Sequence, residues 1–162
     1  MSSAPSDIPQ APADTTVRRD TASLLTRGLI RFQADHGLAC LPEFTLRSGR
    51  RADLMCLDGK GGLTIIEIKS SVEDFRADHK WQDYLEYCDR FYFAVPEDFP
   101  QHLIPEDQGL LVADAYGAIV IREAEARALN AARRRAVTLR FAQLAARRLT
   151  SLVDPDALTP GP

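Results

Sequence analysis

RADLMCLDGKGGLTIIEIK, residues 51–69, is the stretch that decides the fold of this chain. It contains two apolar runs of strand length, Arg51–Leu57 and Leu63–Lys69, on either side of the glycine-rich segment Asp58–Gly62. Strand-like runs that are separated by a short glycine-rich turn predict a β-hairpin. The second run is apolar almost throughout, which predicts a buried strand into which charged residues are set.

Three charged side chains lie within this hairpin: Asp53, Glu67 and Lys69. Glu67 and Lys69 share a face because side chains alternate along a strand. A hairpin symmetric about Lys60 places Asp53 opposite Glu67, with their Cβ atoms about 4.5–5.5 Å apart. Carboxylates this close repel each other unless a cation lies between them, and Mg²⁺ takes one or two carboxylates plus water and phosphate oxygens. A slip of one residue would turn Asp53 to the opposite face, so the predicted metal site depends on the register.

The arrangement of Asp53 and Glu67-Ile68-Lys69 on a hairpin between two helices resembles that of the PD-(D/E)xK nuclease superfamily. Ala52 stands where the superfamily name has proline, a position that only shapes the backbone. A longer match resembles the MmcB-type DNA repair proteins of bacteria. It consists of five stretches, which are PEFTL (42–46), GRRADL (49–54), EIKSSVEDF (67–75), DHKW (78–81) and FYFAVP (91–96).

The resemblance implies a restriction-endonuclease-like α/β core of the order α-β-β-β-α-β, a mixed sheet flanked by helices. Periodicity predicts the same order, which is a partly independent argument for it. The predicted core elements are a helix from about Thr21 to Asp35, strands at Ala39–Arg47, Arg51–Leu57 and Leu63–Lys69, a helix over Val72–Asp89 and a strand at Phe91–Val95. Because that second helix is a crossover connection, the strands on either side of it are expected to be parallel. Two further strands, Leu110–Ala113 and Ala118–Arg122, and a helix from about Asn130 follow.

A chain of 162 residues predicts one domain, here 19–153. Residues 1–18 are rich in Ala, Pro, Ser, Asp and Thr and predict a disordered arm, and 154–162 predict an unstructured tail. No apolar run is long enough to suggest a membrane span, and the N-terminus lacks a signal-peptide core. We therefore expect a cytoplasmic, nucleoid-associated protein.

Three cysteines are isolated in apolar contexts and show no C-x-x-C spacing: Cys40, Cys56 and Cys88. An odd number of cysteines without metal-binding or redox spacing is typical of reduced core residues. Disulfides are also rare in the cytoplasm. The sequence therefore predicts that all three are free thiols.

The resemblance implies that Asp53 and Glu67 hold Mg²⁺, for which Mn²⁺ can substitute, with the Ile68 carbonyl as a third ligand. The metal would activate a water and offset charge on the scissile phosphate. Lys69 would orient the water or neutralise the developing charge. The alternative for these residues is a structural carboxylate–lysine pair across the hairpin.

Glu43 is a further catalytic candidate, because the matched stretch includes it and many superfamily members carry an additional acid near the site. Its position depends on the turn that follows. A two-residue turn at Ser48-Gly49 would place Glu43 opposite Leu54, facing away from Asp53. A three-residue loop would place it opposite Asp53. Both alternatives stay open.

Nucleic-acid contacts are suggested by local clusters of positive charge. The net charge of −3 is not typical of a strong nonspecific nucleic-acid binder. Residues 130–149, however, contain six arginines and no acid. The candidate nucleic-acid-binding residues are Arg50, Arg51, Lys80, Gln82, Arg133, Arg134 and Arg135. The arginines of the last helix could follow a phosphate backbone, or could form a solvated surface that pairs with the acids of the chain.

The leading hypothesis from the sequence is a Mg²⁺-dependent DNA endonuclease of DNA repair that hydrolyses phosphodiester bonds. One alternative is a catalytically silent module of the same fold that binds DNA or a repair protein. Another is an RNA-directed nuclease, since a preference for the 2′-hydroxyl cannot be deduced from these residues.

DNA and other repair proteins are the expected partners, and cutting both strands of a duplex would call for a homodimer. A metabolic enzyme has no support, because G-x-G-x-x-G, P-loop and H-E-x-x-H motifs are missing.

Overall fold

A six-stranded mixed β-sheet forms the centre of the computed structural model, which describes residues 13–157 and side chains from residue 19 onward. The strands lie side by side in the order in which they occur along the chain. The elements are α1 (Ala13–Asp35), β1 (Ala39–Thr45), β2 (Arg51–Leu57), β3 (Leu63–Ile68), α2 (Val72–Ala77), β4 (Arg90–Val95), β5 (Gly109–Ala113), β6 (Ala118–Arg122) and α3 (Ala131–Val153). Short 3-10 turns lie at Trp81–Tyr87 and Gln101–Leu103.

The predicted core order is confirmed, since α1, β1, β2, β3, α2 and β4 follow one another along the chain. The first three strands form an antiparallel meander. The next pairing, β3 with β4, is parallel as the crossover argument required, and β5 is parallel to β4. The last strand, β6, returns antiparallel to β5. This is the mixed sheet flanked by helices that the sequence predicted.

Two apolar layers cover the sheet. On one face Leu25 and Leu29 of α1 pack against Leu54 and Ile66 of the central strands. On the other face Phe141 of α3 belongs to a larger cluster that contains Phe91 and Phe93 of β4. Burying one such side chain contributes about 1.5–3 kcal/mol, so the two layers supply most of the driving force for folding. No helix within residues 13–157 is long and apolar enough to cross a membrane.

The first helix is longer than predicted. It begins at Ala13 rather than near Thr21, so residues 13–18, which we assigned to the disordered arm, are helical. The rest of the predicted arm, through residue 12, lies outside the described residues, as does the tail from residue 158. The bias toward Ala, Pro, Ser, Asp and Thr is shared by arms and by the first turns of helices, which explains the misplaced boundary.

The predicted helix over Val72–Asp89 is wrong in its second half. The helix ends at Ala77, residues 78–80 are not helical, and the 3-10 turn follows at Trp81–Tyr87. The cause is Asp78, whose Oδ1 accepts a hydrogen bond from the Lys80 backbone N–H at 3.0 Å. Such local side-chain bonds offer the backbone an alternative to the helix. Trp81 still reaches the core, where it stacks on Phe91 with ring centroids 5.6 Å apart.

The prediction of three free thiols is wrong for two of them. Cys40 and Cys56 form a disulfide between β1 and β2, with their Cα atoms 4.1 Å apart. The register places them directly opposite each other, and directly opposed residues of an antiparallel pair are closest where no hydrogen bonds join them. Cys88 is free and buried, as predicted.

Candidate metal site and basic surfaces

The register of the β2–β3 hairpin is the one that the sequence predicted. Met55 pairs with Ile65 in this register. Beyond the regular pairs, the backbone N–H of Asp53 lies 3.4 Å from Glu67 Oε2, and the N–H of Ile68 donates to Asp53 Oδ2 at 2.8 Å. The two carboxylates therefore lie beside each other, and each is bound to the backbone of the other's strand.

One cleft of about 680 Å³ brings the predicted site residues together. Its walls are the first helix, the middle of β1, the start of β2, the end of β3 and the start of α2. The predicted residues that line it are Glu43, Arg51, Asp53, Glu67, Ile68 and Lys69. The other acid in its lining is Asp74, and α1 contributes Arg19. All five residues for which the sequence predicted a catalytic or metal-binding role thus share one cavity.

Burial dominates the electrostatics of the two carboxylates. Glu67 is only 6% exposed, and burial together with the neighbouring Asp53 charge raises its pKa to about 8. Burial also raises the pKa of Asp53, although the hydrogen bond from the Ile68 N–H opposes this change. Removing water disfavours the charged form of a carboxyl group, and a second carboxylate nearby adds to the effect. Ionising both carboxyl groups is therefore unfavourable unless a further positive charge joins them.

Lys69 is buried beside this pair and has two acidic partners. Its Nζ lies 2.8 Å from Asp78 Oδ2 and 3.6 Å from Glu67 Oε1. Burial disfavours the charged ammonium, but the hydrogen bond to Asp78 and the charge of Glu67 outweigh it, and the pKa of Lys69 is raised. Because the shorter contact goes to Asp78, Lys69 leaves Glu67 only partly compensated. Sequence analysis missed Asp78, since a continuous helix would have left it without this role.

Glu43 faces the cleft because the turn after β1 has three residues. The N–H of Leu46 donates to the Arg50 carbonyl at 2.7 Å, which closes a three-residue loop and sets Glu43 opposite Asp53. Its φ of 51° lies in the left-handed region, which costs a residue with a Cβ some strain. Its carboxylate is 67% exposed and lies 3.5 Å from Arg51. The structure therefore selects one of the two alternatives, and leaves Glu43 at the open rim.

Asp74 is a further acid that sequence analysis did not assign to the site. Ser71 caps α2 by accepting a hydrogen bond from the Asp74 N–H at 3.2 Å. The carboxylate of Asp74 turns back and accepts from the Ser70 N–H at 3.2 Å, which brings it to the cleft. Its charge helps to raise the pKa of Asp53. The capping signal was visible in the sequence, but a cap alone does not predict a place at the site.

The donor set fits a hard divalent cation. Two adjacent carboxylates with raised pKa values meet the backbone of Ile68, and a bound cation would relieve their mutual repulsion. Among the described residues, no group of three or more His, Cys, Asp or Glu side chains could hold a metal by itself. Mg²⁺ does not need such a group, because it is usually bound by one or two carboxylates and keeps several waters.

The predicted nucleic-acid-binding residues divide into two groups. Four of them form intramolecular ion pairs: Arg50 with Asp83 at 3.2 Å, Arg51 with Glu43 at 3.5 Å, Arg133 with Glu86 at 2.7 Å and Arg134 with Asp89 at 2.6 Å. For Arg133 and Arg134 these ion pairs favour the interpretation that the arginines of α3 pair with acids of the chain over the interpretation that they follow a phosphate backbone. Arg135, Lys80 and Gln82 are exposed and lie outside the cleft lining, whereas Arg51 lines the cleft.

We expect Arg134→Gln to destabilise the fold by about 1–2 kcal/mol, because its guanidinium bonds both Asp89 oxygens and the Gly61 carbonyl. Urea unfolding monitored by circular dichroism measures this change. Arg135→Gln is the matched control, since it removes the same charge from the neighbouring, exposed position. Equal unfolding midpoints for the two variants would contradict a structural role for Arg134.

The core order of this sheet, with paired carboxylates and a lysine at the end of its central hairpin, defines a restriction-endonuclease-like α/β protein. The family model for DNA repair proteins of the MmcB-like type matches residues 9–156. The chain therefore belongs to the MmcB-like DNA repair protein family.

Two solved structures are similar to this chain. A protein of unknown function from Silicibacter pomeroyi is 46% identical, with a TM-score of 0.82 over 86% of this chain and 95% of that one. A repair endonuclease from Pyrococcus abyssi is 15% identical, with a TM-score of 0.35 over 76% of this chain and 50% of that one. The comparison with curated proteins gave no significant match.

Proposed function

We propose that this protein is a Mg²⁺-dependent endonuclease that hydrolyses phosphodiester bonds of DNA during repair. The observation that carries the proposal is the buried pair of Asp53 and Glu67, bridged to each other's backbone and accompanied by Lys69 in one cleft. Membership of a DNA repair family supports DNA as the substrate class. Nothing in a purely structural role would call for two uncompensated carboxylates inside a sheet.

The roles of the residues follow from their positions. Asp53 and Glu67 would hold the metal together with the backbone at Ile68. Mg²⁺, when bound, supplies Lewis-acid stabilisation of charge on the phosphate.

Lys69 is kept protonated by Asp78 and Glu67, and it lines the same cleft, so it can stabilise negative charge that develops on the phosphate oxygens. Arg19 and Arg51 add positive charge at the mouth, where a phosphate backbone would enter.

Two other functions predict different results. A catalytically silent module would bind DNA or a repair protein through the same surface and would cut nothing. An RNA-directed nuclease would use the same carboxylates, since the chemistry suits either backbone. The intact set of Asp53, Glu67 and Lys69 favours a catalytic protein over a silent one.

Cleavage of labelled DNA and RNA structures tests the proposal directly. Single strands, duplexes, flaps, gaps and junctions would be incubated with wild type and Asp53→Ala in Mg²⁺, in Mn²⁺ and in EDTA. We expect metal-dependent cutting of DNA that the variant lacks. Preferential cutting of RNA would favour the RNA-directed alternative. If wild type cuts no structure with either metal, the nuclease proposal is refuted and the binding module is favoured.

Asp78→Ala is expected to lower kcat about tenfold with little change in KM. Without the 2.8 Å contact, the Lys69 ammonium is no longer held in one position, and a small misplacement of such a group slows the reaction strongly. Steady-state kinetics on the preferred substrate measure the effect. Asp78→Glu, which keeps the carboxylate, should recover part of the rate, and Asp98→Ala at an exposed loop position controls for charge loss. A rise in KM alone would contradict a positioning role.

A further inference from the structure

A second and larger concavity lies outside the cleft and shares none of its lining residues. It has a volume of about 950 Å³ and lies between the end of β1, the 3-10 turn at Trp81–Tyr87 and the first half of α3. We call it the α3 groove and define it by its four arginines, which are Arg47, Arg127, Arg133 and Arg140. No step of the proposed hydrolysis uses these residues.

The charge of the α3 groove is opposite in sign to that of the whole chain. Four guanidinium groups line it, and Glu86 is the only acid among its described lining residues. Arg133 is paired with Glu86 at 2.7 Å and Arg127 lies 3.8 Å from Glu125, so positive charge stays in excess mainly through Arg47 and Arg140, while the chain as a whole carries a net charge of −3. A concave surface lined by one sign of charge focuses the field and attracts ligands of the opposite sign. The expected ligand is therefore polyanionic.

The floor of the groove is apolar and includes an aromatic ring. Leu85 and Leu129 are half-buried there, and the half-buried Tyr87 ring lies 4.8 Å below the Arg133 guanidinium. A duplex offers such a surface mainly phosphates, because its bases are stacked inside. An unpaired strand offers both phosphates for a cationic rim and bases that pack on apolar and aromatic side chains. The combination favours a single strand over a duplex.

The groove also adjoins the candidate active site along β1. Glu43 lines the cleft, whereas Phe44 and Leu46 line the groove. Glu43 and Leu46 are about 10 Å apart along the strand. The cleft is walled by α1 and the groove by α3, which cover opposite faces of the sheet, so a nucleic-acid strand would pass from one to the other around the outer edge of β1. The last helix follows the same strand, since Arg140 donates to the Thr45 carbonyl and Arg148 donates to the Glu43 carbonyl.

We propose that the α3 groove binds an unpaired nucleic-acid strand that continues from the cleft. The substrate class would then be DNA with a single-stranded segment, such as a flap, gap or overhang. The identity of the ligand as the nuclease substrate rests on the proposed function, but strand binding itself does not require cleavage. Arg47, Arg127 and Arg140 act on phosphates and Tyr87 acts on a base, while Arg133 stays paired with Glu86.

Fluorescence anisotropy with labelled (dT)20 and with a 20-base-pair blunt duplex tests the proposal, with EDTA present so that no cleavage interferes. Wild type is expected to bind (dT)20 more tightly than the duplex. Arg47→Gln/Arg127→Gln should weaken (dT)20 binding about tenfold and reduce the slope of log affinity against log salt by about 1.4, at about 0.7 for each lost phosphate contact. Arg31→Gln/Arg76→Gln, which removes two exposed charges elsewhere, should behave like wild type.

Tyr87→Leu separates base contact from charge. It keeps an apolar side chain but removes the ring, so we expect about fivefold weaker (dT)20 binding with an unchanged salt slope. A wild-type slope in Arg47→Gln/Arg127→Gln, tighter binding of duplex than of (dT)20, or no binding of either at low salt would each overturn the proposal, and the last result would favour an acidic protein partner. The nuclease proposal is judged separately, by cleavage with metal.

Discussion

Asp53→Asn is expected to lower the rate of phosphodiester hydrolysis by about 1,000-fold while raising the thermal stability of the protein. The loss of rate follows from weakened metal binding, since a Lewis-acid metal supplies several kcal/mol of stabilisation and each 1.36 kcal/mol is tenfold in rate. The gain in stability follows from burial, which raises the pKa of Asp53 and so opposes its charged form. Asparagine can still accept the hydrogen bond from the Ile68 N–H.

Single-turnover cleavage in Mg²⁺ and differential scanning fluorimetry in EDTA measure the two effects. The opposite signs make the result diagnostic, because a damaged fold would lower both quantities. Asp58→Asn is a control in the adjacent turn, where the carboxylate accepts hydrogen bonds from Lys60 and Gly62 and lies outside the cleft. Retention of full activity in Asp53→Asn would remove Asp53 from the candidate site.

The hairpin that carries the site could be predicted because two independent signals agree on its register. The length of the glycine-rich turn and the alternation of apolar and charged residues both place Asp53 beside Glu67. A one-residue slip would have turned a carboxylate into the apolar layer that contains Leu54 and Ile66. The register of a hairpin is strongly determined wherever one of the possible registers would bury a charge without a partner.

The first hairpin could not be predicted in the same way, because its loop length was ambiguous. A loop of two or of three residues satisfies the sequence equally, and the choice rests on the backbone at Gly49, which has a φ of 86°. That one choice sets Glu43 opposite Asp53 and also sets Cys40 opposite Cys56. The position of Glu43 stayed open for this reason, whereas the wrong prediction for the cysteines came from their odd number, their spacing and the expected cytoplasmic setting.

The break after α2 had a different cause. Residues 72–89 have helical periodicity, but Asp78 leaves the helix to bond both Lys69 and the Lys80 backbone. A tertiary contact with a buried lysine outweighs local propensity, which is worth less than 1 kcal/mol per residue. Differences between the helix that local sequence predicts and the observed backbone are expected at functional sites, because contacts within the site determine the backbone there.

The stability of the metal-free protein is expected to fall by about 3–5 kcal/mol as the pH rises from 5 to 8. The pKa of Glu67 is about 8 in the folded protein and 4.5 in a free side chain. Between these values the folded state keeps a proton that the unfolded state has lost, and stability then falls with rising pH at up to about 1.4 kcal/mol per unit. About one pH unit above the folded pKa of Glu67 both states are ionised, and the fall should stop.

Urea unfolding in EDTA between pH 5 and 9 measures this dependence. Glu67→Gln should remove most of it, whereas Glu97→Gln at an exposed position should not. Because Mg²⁺ binds the ionised carboxylates, it should stabilise wild type strongly at pH 8 and little at pH 5, and should have little effect on Glu67→Gln at either pH. A flat profile for wild type in EDTA would contradict the raised pKa. Equal stabilisation by Mg²⁺ of wild type and Glu67→Gln would place the metal elsewhere, since the two carboxylates would then not share a cation.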